Sequence, residues 1–539
     1  MLVLAWGLAV LPGLGETRHL TYHEALVAQG VREMATTGVW THPSIGGVPW
    51  LEKPPLPWWL AGSLSVISGN VTPVVARLPS AIAGLLLSAG VAMLAARRSG
   101  PRVGLLAGGI QATTFWTMLR GGLAEADVIL ACLVCGSLVA LDALRRPHAH
   151  DSGGVDRWRW LFFIGLGLSG LVKGIGFGPI LIMVVTYLTL TWENNPIIWR
   201  RLWFPRGWLL ALILALAWPV AMLSKYGQPA LSLWTLHIAH RFDGLAGPGP
   251  FAGESWGEYL VGIVAQALPW APLAALGAGR SLARGIHRSG HRFPVRGGDR
   301  MLWVWAVVPV VLLSMASARN AHYVVCAQIP WSIWAARALV RVIRWSRPDV
   351  PLHHQGQIAW AAILGLACFQ GAGQVIVGGQ SGHHGAEWDF YRSVGGLARG
   401  EPVVFLYDEW DRLPYPSPLG SIPHDLAARL YYLGRAADWR RGVIDLALHG
   451  LRRGQPCVVI GRDRDQVNLE RLGLVEILAR GPTTRWDRSF TAFRVVPGSS
   501  RLGQTSALGL TRMMMDFDAG VRLPAAKSSM GTRILASGK

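Results

Sequence analysis

Charge is scarce in this chain, and negative charge scarcer still: of 539 residues only 15% are charged, with 31 Asp and Glu against 51 Lys and Arg. A net charge of +20 suggests nucleic acid at first. The basic residues are not gathered on one soluble face, however, and most of those before residue 350 fall in short gaps between apolar runs. That placement sets membrane topology and argues against nucleic acid as a partner. Cysteine is also sparse. The five, Cys132, Cys135, Cys326, Cys368 and Cys457, form no disulfide framework, and Cys132 and Cys135, despite redox or metal spacing, read as small packing residues in an apolar run. The N-terminus lacks the basic n-region and cleavage site of a signal peptide. No internal repeat is visible.

Hydrophobic residues make up 51% of the chain, and long apolar runs recur from the N-terminus to about Val377 and then stop. This is the profile of a polytopic membrane protein with a soluble C-terminal part. Candidate spans are 1–14, 75–96, 103–119, 128–144, 160–172, 176–191, 207–224, 258–277, 301–316, 323–340 and 357–377. Arginines fill alternate gaps: Arg97, Arg98 and Arg102; Arg145, Arg146 and Arg157; Arg200, Arg201 and Arg206; six from Arg280 to Arg300; then Arg341, Arg344 and Arg347. Those gaps are cytoplasmic by the positive-inside rule, so 15–74, 120–127, 173–175, 225–257, 317–322 and 378–539 face outward.

Loop 15–74 is too long for a simple connector. Leu26, Val27, Gly30, Val31 and Met34 share one face at helical spacing, which predicts an amphipathic helix in the membrane plane. In the C-terminal part, Pro402–Tyr407, Cys457–Gly461, Val475–Ala479 and Phe490–Val496 read as strands, and Asp425–Leu433 and Gln466–Leu472 as helices. The expectation is a mainly α protein: a transmembrane domain over 1–377, a small extracytoplasmic α/β domain over 378–498 and a poorly ordered tail over 499–539.

The stretch from Val48 to Trp59 carries Glu52 and Lys53 beside Pro54 and Pro55, between tryptophans of the kind found at membrane interfaces. Prolines fix the backbone and withhold amides, so the charged pair sits on rigid chain at the lipid edge. It suits an anionic lipid headgroup, although a plain interfacial loop with a snorkelling lysine fits the composition as well. Glu24 closes a Thr21-x-x-Glu24 capping box. Asp127 fits a helix N-cap, and Lys173 another snorkelling position. Each has a structural reading, but together two carboxylates and two lysines converge on one membrane face, where polar groups mark functional sites. A lipid-phosphate sugar donor needs cations such as Lys53 and Lys173 to offset charge as the phosphate leaves. A hydroxyl acceptor needs a carboxylate, Glu24 or Asp127, to take its proton. Glu52 with His237 or His240 has ligand types suited to zinc or manganese, the only cofactor these residues suggest.

His23-Glu24-Ala25, Arg32-Glu33-Met34, Gly38-x-Trp40, Glu52-Lys53-Pro54-Pro55-Leu56 and Arg77-Leu78-Pro79-Ser80 follow in order. The series continues through Ala126-Asp127, Leu171-Val172-Lys173-Gly174, His240-Arg241-Phe242, Leu268-Pro269-Trp270 and His322-Tyr323. Over roughly 20–340 the chain resembles glycosyltransferase family 39, the aminoarabinose lipid A transferases and protein O-mannosyltransferases of the C-type glycosyltransferase superfamily. The resemblance implies transfer of a sugar, by inverting displacement, from a polyprenyl-phosphate carrier to an extracytoplasmic lipid, glycan or protein. It adds Arg241, His322 and Tyr323 to Lys53, Glu52 and Lys173 as substrate-binding residues. Two departures stand out. Relatives open their first outer helix with Asp-Glu-x-Arg-Tyr, the aspartate being assigned catalytic importance, where this chain has His23, Glu24, Leu26 and Val27. Relatives often carry a lysine before the His-Tyr pair, where Arg319 and Asn320 stand here.

The sequence therefore points to an inner-membrane glycosyltransferase of about eleven spans. A transporter or flippase would place paired polar groups at mid-membrane and often repeat its halves. A relative that binds polyprenyl phosphate without catalysis is the third reading, kept open by His23.

Overall fold

A computed structural model describes residues 1–16, 18–145, 152–194, 196–242, 254–286, 297–316, 319–380, 382–407, 415–417, 420–423, 425–451, 455–482 and 489–497. The expected tail 499–539 lies outside them. The chain divides into two compact units, Met1–Gly395 with Glu409–Ala437, and Gly396–Asp408 with Asp438–Lys539.

The first unit is a helical bundle. Among the described residues five helices are long and apolar enough to cross a membrane: Pro73–Ser99, Ala126–Leu144, Pro205–Tyr226, Ala321–Ser346 and His354–Gly378. Trp256–Gln266 and Ala271–Ala283 pass the same test together, bent by 93° at their junction. The remaining apolar runs are helical too: Leu2–Gly13 and Gly178–Glu193 are shorter, Ser152–Lys173 and Gly297–Ser314 are continuous, and one run is interrupted. The run 103–119 is split at Thr114 into Pro101–Thr113 and Phe115–Gly121. The groups freed by that break are satisfied from other helices: Gln370 Nε2 donates to the Thr113 carbonyl at 2.8 Å, and the Phe115 amide donates to the Leu268 carbonyl at 2.9 Å. Irregular backbone at this depth is tolerated where protein supplies its hydrogen bonds.

The helix Tyr22–Thr37 buries Leu26, Val27, Gly30, Val31 and Met34, the face its periodicity predicts. It starts in a complete capping box, with Thr21 Oγ1 accepting from the Glu24 amide and Glu24 Oε2 accepting from the Thr21 amide. Gly30 lets the helix Leu56–Ser68 approach closely: a Cβ there would lie 2.7 Å from Trp58 Nε1, which donates to the Leu26 carbonyl. Leu426–Leu433 packs against the same helix, with Arg32 donating to the Tyr431 carbonyl at 3.0 Å. That helix belongs to the first unit, although sequence order grouped it with the C-terminal domain. Every residue of Leu426–Leu433 is buried, so its apolar surface is covered there.

The second unit holds a five-stranded mixed sheet in the order Asp438–Arg441, Val403–Tyr407, Cys457–Arg462, Phe490–Pro497, Gly473–Arg480. Val403–Tyr407 runs parallel to both neighbours, while Phe490–Pro497 pairs antiparallel on both sides. Val404, Leu406, Val459, Phe493 and Val495 form its core.

Candidate active site

Most of the charged residues singled out in the sequence meet at one end of the bundle. Asp127 lies in the first turn of Ala126–Leu144, and its Oδ1 accepts from Lys173 Nζ at the last residue of Ser152–Lys173. Gly174 follows at φ +84°, a backbone conformation that other residues rarely adopt, and turns the chain away immediately after the lysine. The Lys173 ammonium stands 4.5 Å from the centre of the Tyr323 ring and 5.6 Å from that of Phe177. The His322 and Tyr323 rings lie 4.1 Å apart in a 3₁₀ segment, Ala321–Gln328. One lysine thus bridges a carboxylate and an aromatic wall, and both contacts hold the cation in place.

Glu52 and Lys53 occupy a loop anchored on both sides. The Trp50 amide donates to the Pro43 carbonyl at 2.9 Å, and Trp234 Nε1 donates to the Leu51 carbonyl at 2.9 Å. Glu33 accepts from the Gly46 and Gly47 amides at 2.7 and 3.1 Å, tying the preceding hairpin to the helix Tyr22–Thr37. Farther along, Pro55 caps and Pro57 opens Leu56–Ser68. Lys53 Nζ sits 3.9 Å from Glu52 Oε1 and keeps 35% of its side chain exposed. It lies within electrostatic reach of His322, a member of the Lys173 cluster. Below them, His42 Nε2 accepts from the Tyr226 hydroxyl at 2.7 Å. Burial and the neighbouring Lys225 hold His42 below its usual imidazole pKa.

Glu24 is placed differently. It is fully buried, and Arg77, itself fully buried, clamps it with Nε–Oε1 at 2.7 Å and Nη2–Oε2 at 3.3 Å. The Ala124 amide donates to it at 3.2 Å, and Arg18 stands 3.5 Å away. Burial favours the protonated acid, but the Arg77 charge and hydrogen bonds outweigh it and hold the carboxyl below its usual range. With its oxygens committed to Arg77, Thr21 and Ala124, Glu24 ties three segments together and is closed to an incoming hydroxyl. The arrangement favours the capping reading over that of a general base. Arg241, His237 and His240 lie in the helix Gln228–Phe242, but their side chains fall outside the described residues, so the Glu52–histidine metal expectation is not represented in this geometry. Among the described residues no group of three or more His, Cys, Asp or Glu side chains is placed to hold a metal ion.

Arg77, Arg120 and Glu125 were not singled out from the sequence. Arg120 pairs with Glu125, and Ser80 Oγ donates to the Glu125 carbonyl at 2.9 Å. A signal was available. Arginine is disfavoured in loops on the outer side, yet Arg120 lies in the loop 120–127 with two carboxylates in the next seven residues.

The profile of the dolichyl-phosphate-mannose-protein mannosyltransferase family matches residues 21–236. The undecaprenyl phosphate-alpha-4-amino-4-deoxy-L-arabinose arabinosyl transferase of Pseudomonas paraeruginosa is 27% identical over 356 residues, covering 64% of this chain and 60% of that protein. The enzyme of the same name from Pseudomonas aeruginosa PAO1 is 27% identical over 380 residues, covering 68% and 64%. The chain thus spans a little over three-fifths of these relatives' length. In fold it is similar to the crystal structure of ArnT from Cupriavidus metallidurans bound to undecaprenyl phosphate, with TM-score 0.68, 17% identity and coverage of 91% of this chain and 96% of that one. An Archaeoglobus fulgidus oligosaccharyltransferase shares the fold more distantly, with TM-score 0.51 and 12% identity, covering 81% and 63%. Family profile, relatives and fold point the same way: over residues 21–236 the chain is similar to the dolichyl-phosphate-mannose-protein mannosyltransferase family, and it has the polytopic membrane fold of ArnT.

Proposed function

We propose that this protein is an integral membrane glycosyltransferase that takes a sugar from a polyprenyl-phosphate carrier and passes it to an extracytoplasmic lipid, glycan or protein. The observation that carries the reading is the meeting of Lys173, Asp127, His322 and Tyr323 at one end of the bundle, with Lys53 within electrostatic reach of His322. The arginine-filled gaps alternate along the chain, which supports an inner-membrane location with this end and the second unit outside. Relatives named as undecaprenyl phosphate-aminoarabinose transferases make an undecaprenyl-phosphate pentose the first donor to try and a glycolipid such as lipid A the first acceptor.

The donor is a phosphodiester with one negative charge, and its polyprenyl phosphate product carries two. Lys53 and Lys173 offset the charge that develops on the leaving phosphate. Asp127 holds Lys173 toward the site, Glu52 restrains Lys53, and the His322–Tyr323 pair forms a wall for the sugar. Arg241 is a further phosphate cation by its place in the family pattern. The acceptor hydroxyl attacks the anomeric carbon from the side opposite the phosphate, so configuration inverts.

The test is transfer from radiolabelled polyprenyl-phosphate sugars in proteoliposomes holding purified protein. Label in the acceptor supports the reading. Label moved across the bilayer on an intact carrier would make the protein a flippase, and carrier binding without either would make it a non-catalytic relative.

A further inference from the structure

Besides Glu52, three carboxylates among the described residues lie near the Lys173 cluster, and they differ in how free their oxygens are. Glu24 is fully buried and committed to Arg77, Thr21 and Ala124. Asp127 accepts from Lys173 in the first turn of its helix, where the positive end of the helix dipole further favours the anion. Glu125 is the residue before that helix, in extended backbone at φ −135° and ψ 159°. Its side chain keeps 14% exposure and is ion-paired to Arg120. Burial raises its proton affinity, Arg120 opposes this, and the charges of Asp127 and Glu24 add to it; the balance lies above the usual carboxylate range. A base is effective when its proton affinity approaches the operating pH. Glu125 is shifted toward that condition, whereas Arg77 holds Glu24 the other way.

Arg120 supplies the second observation. Among the described residues nothing accepts a hydrogen bond from its buried Nε. A buried guanidinium nitrogen without a partner is costly, and a ligand oxygen would satisfy it. Arg120 also lies within electrostatic reach of Asp127, Tyr323 and His322, which places it beside the Lys173 cluster.

We infer that Glu125 takes the proton of the acceptor hydroxyl, and that Arg120, its ion-pair partner, stabilises the charge arriving on the leaving phosphate in the same step. The inference rests on the proposed transferase reading. In the step, the acceptor O–H bond breaks toward a Glu125 carboxylate oxygen, and the oxygen's electron pair forms the bond to the anomeric carbon. The bond from that carbon to the phosphate oxygen breaks, and its electrons leave with polyprenyl phosphate. Charge balances: the carboxylate loses one negative charge and the phosphate gains one. As Glu125 becomes neutral its hold on Arg120 weakens, so the guanidinium is released when the phosphate becomes dianionic. Protonation and leaving-group stabilisation are thereby coupled through one ion pair.

The experiment compares wild-type, Glu125→Gln and Glu125→Asp proteins in proteoliposomes. It reads sugar transfer across a pH series and, separately, binding of undecaprenyl phosphate. The groups facing Glu125 are Arg120 and Arg18, which favour its anion, and Asp127 and Glu24, which oppose it. A base works deprotonated, so wild-type transfer should fall as pH drops through the raised Glu125 value. Glu125→Gln should lose about 10²–10⁴-fold in transfer at pH above the raised Glu125 value, lose the acidic limb so that the deficit narrows at lower pH, and keep carrier binding. Glu125→Asp should retain part of the rate and the limb. Transfer by Glu125→Gln at the wild-type rate overturns the inference while leaving the transferase reading intact. Parallel loss of transfer and carrier binding in Glu125→Gln makes the residue a scaffold and overturns it too. A wild-type protein that binds carrier but transfers nothing removes the transferase reading, and this inference with it.

Discussion

Replacing Arg77 with methionine keeps most of the side chain's length and removes its charge, which leaves Glu24 buried without its bidentate partner. Both side chains are fully buried, so neither water nor salt screens the loss. Breaking such a pair by removing one member costs about 3–5 kcal/mol, most of it from the uncompensated charge left behind. Two features of the site moderate the figure. Arg18 remains 3.5 Å from Glu24, and the Thr21 and Ala124 amides still donate to it. Against that, Arg77 also donates to the carbonyls of Leu14, Gly15, Arg18 and His19, which lose their donor. The expected loss is about 3 kcal/mol, read as a shift in the unfolding midpoint of purified protein titrated with SDS in mixed micelles. Combining Arg77→Met with Glu24→Gln should recover part of it, because a buried pair replaced by neutral groups of similar volume is often tolerated. Acidity gives a further check. The Glu24 pKa is lowered in the folded state, so its contribution is present above the unfolded value of about 4.3 and lost as pH falls through the folded one. Glu24→Gln should remove that segment of the acid-unfolding curve. An Arg77→Met protein within about 0.5 kcal/mol of wild type, the scatter of ordinary surface changes, would refute the clamp.

Cysteine labelling from outside intact cells should reach a cysteine placed at Gly385 and miss one at Gly290, and the opposite pattern would reverse the topology. Lys53→Met and Lys173→Met should each weaken undecaprenyl phosphate binding with the fold intact; unchanged affinity in both would leave the lysines as interfacial side chains without a role in the site. Exhaustive chelation should lower transfer if Glu52 with His237 or His240 holds a divalent ion, and full activity afterwards would remove the metal.

The bundle was legible because its helices follow the apolar runs, and the arginines between runs recur in alternate gaps. The break at Thr114 was not legible, because what stabilises it comes from Gln370 and Leu268, remote in sequence. In the second unit the alternating strands could be read from Val403, Cys457, Val475 and Phe490 onward. Asp438–Arg441 could not: three of its four side chains are charged and show no alternation. It forms at the sheet edge, where charged side chains are common. At the site, Asp127 and Lys173 stood out as charges at the ends of apolar runs, but their pairing is long-range. Glu24 showed only its local half, the capping box, while Arg77 contributes from 53 residues away. The Arg120–Glu125 pair was visible as an arginine misplaced by the positive-inside rule, a sign that weighs less in a sequence than a proline-fixed Glu-Lys loop.

The most direct measurement is the fate of the carrier in sealed proteoliposomes given a polyprenyl-phosphate pentose and an acceptor glycolipid. The account predicts that polyprenyl monophosphate appears mole for mole with glycosylated acceptor, and that Lys173→Met suppresses both together. A carrier that stays intact while the sugar-lipid changes leaflets, or a Lys173→Met protein that releases monophosphate as fast as wild type, would contradict it.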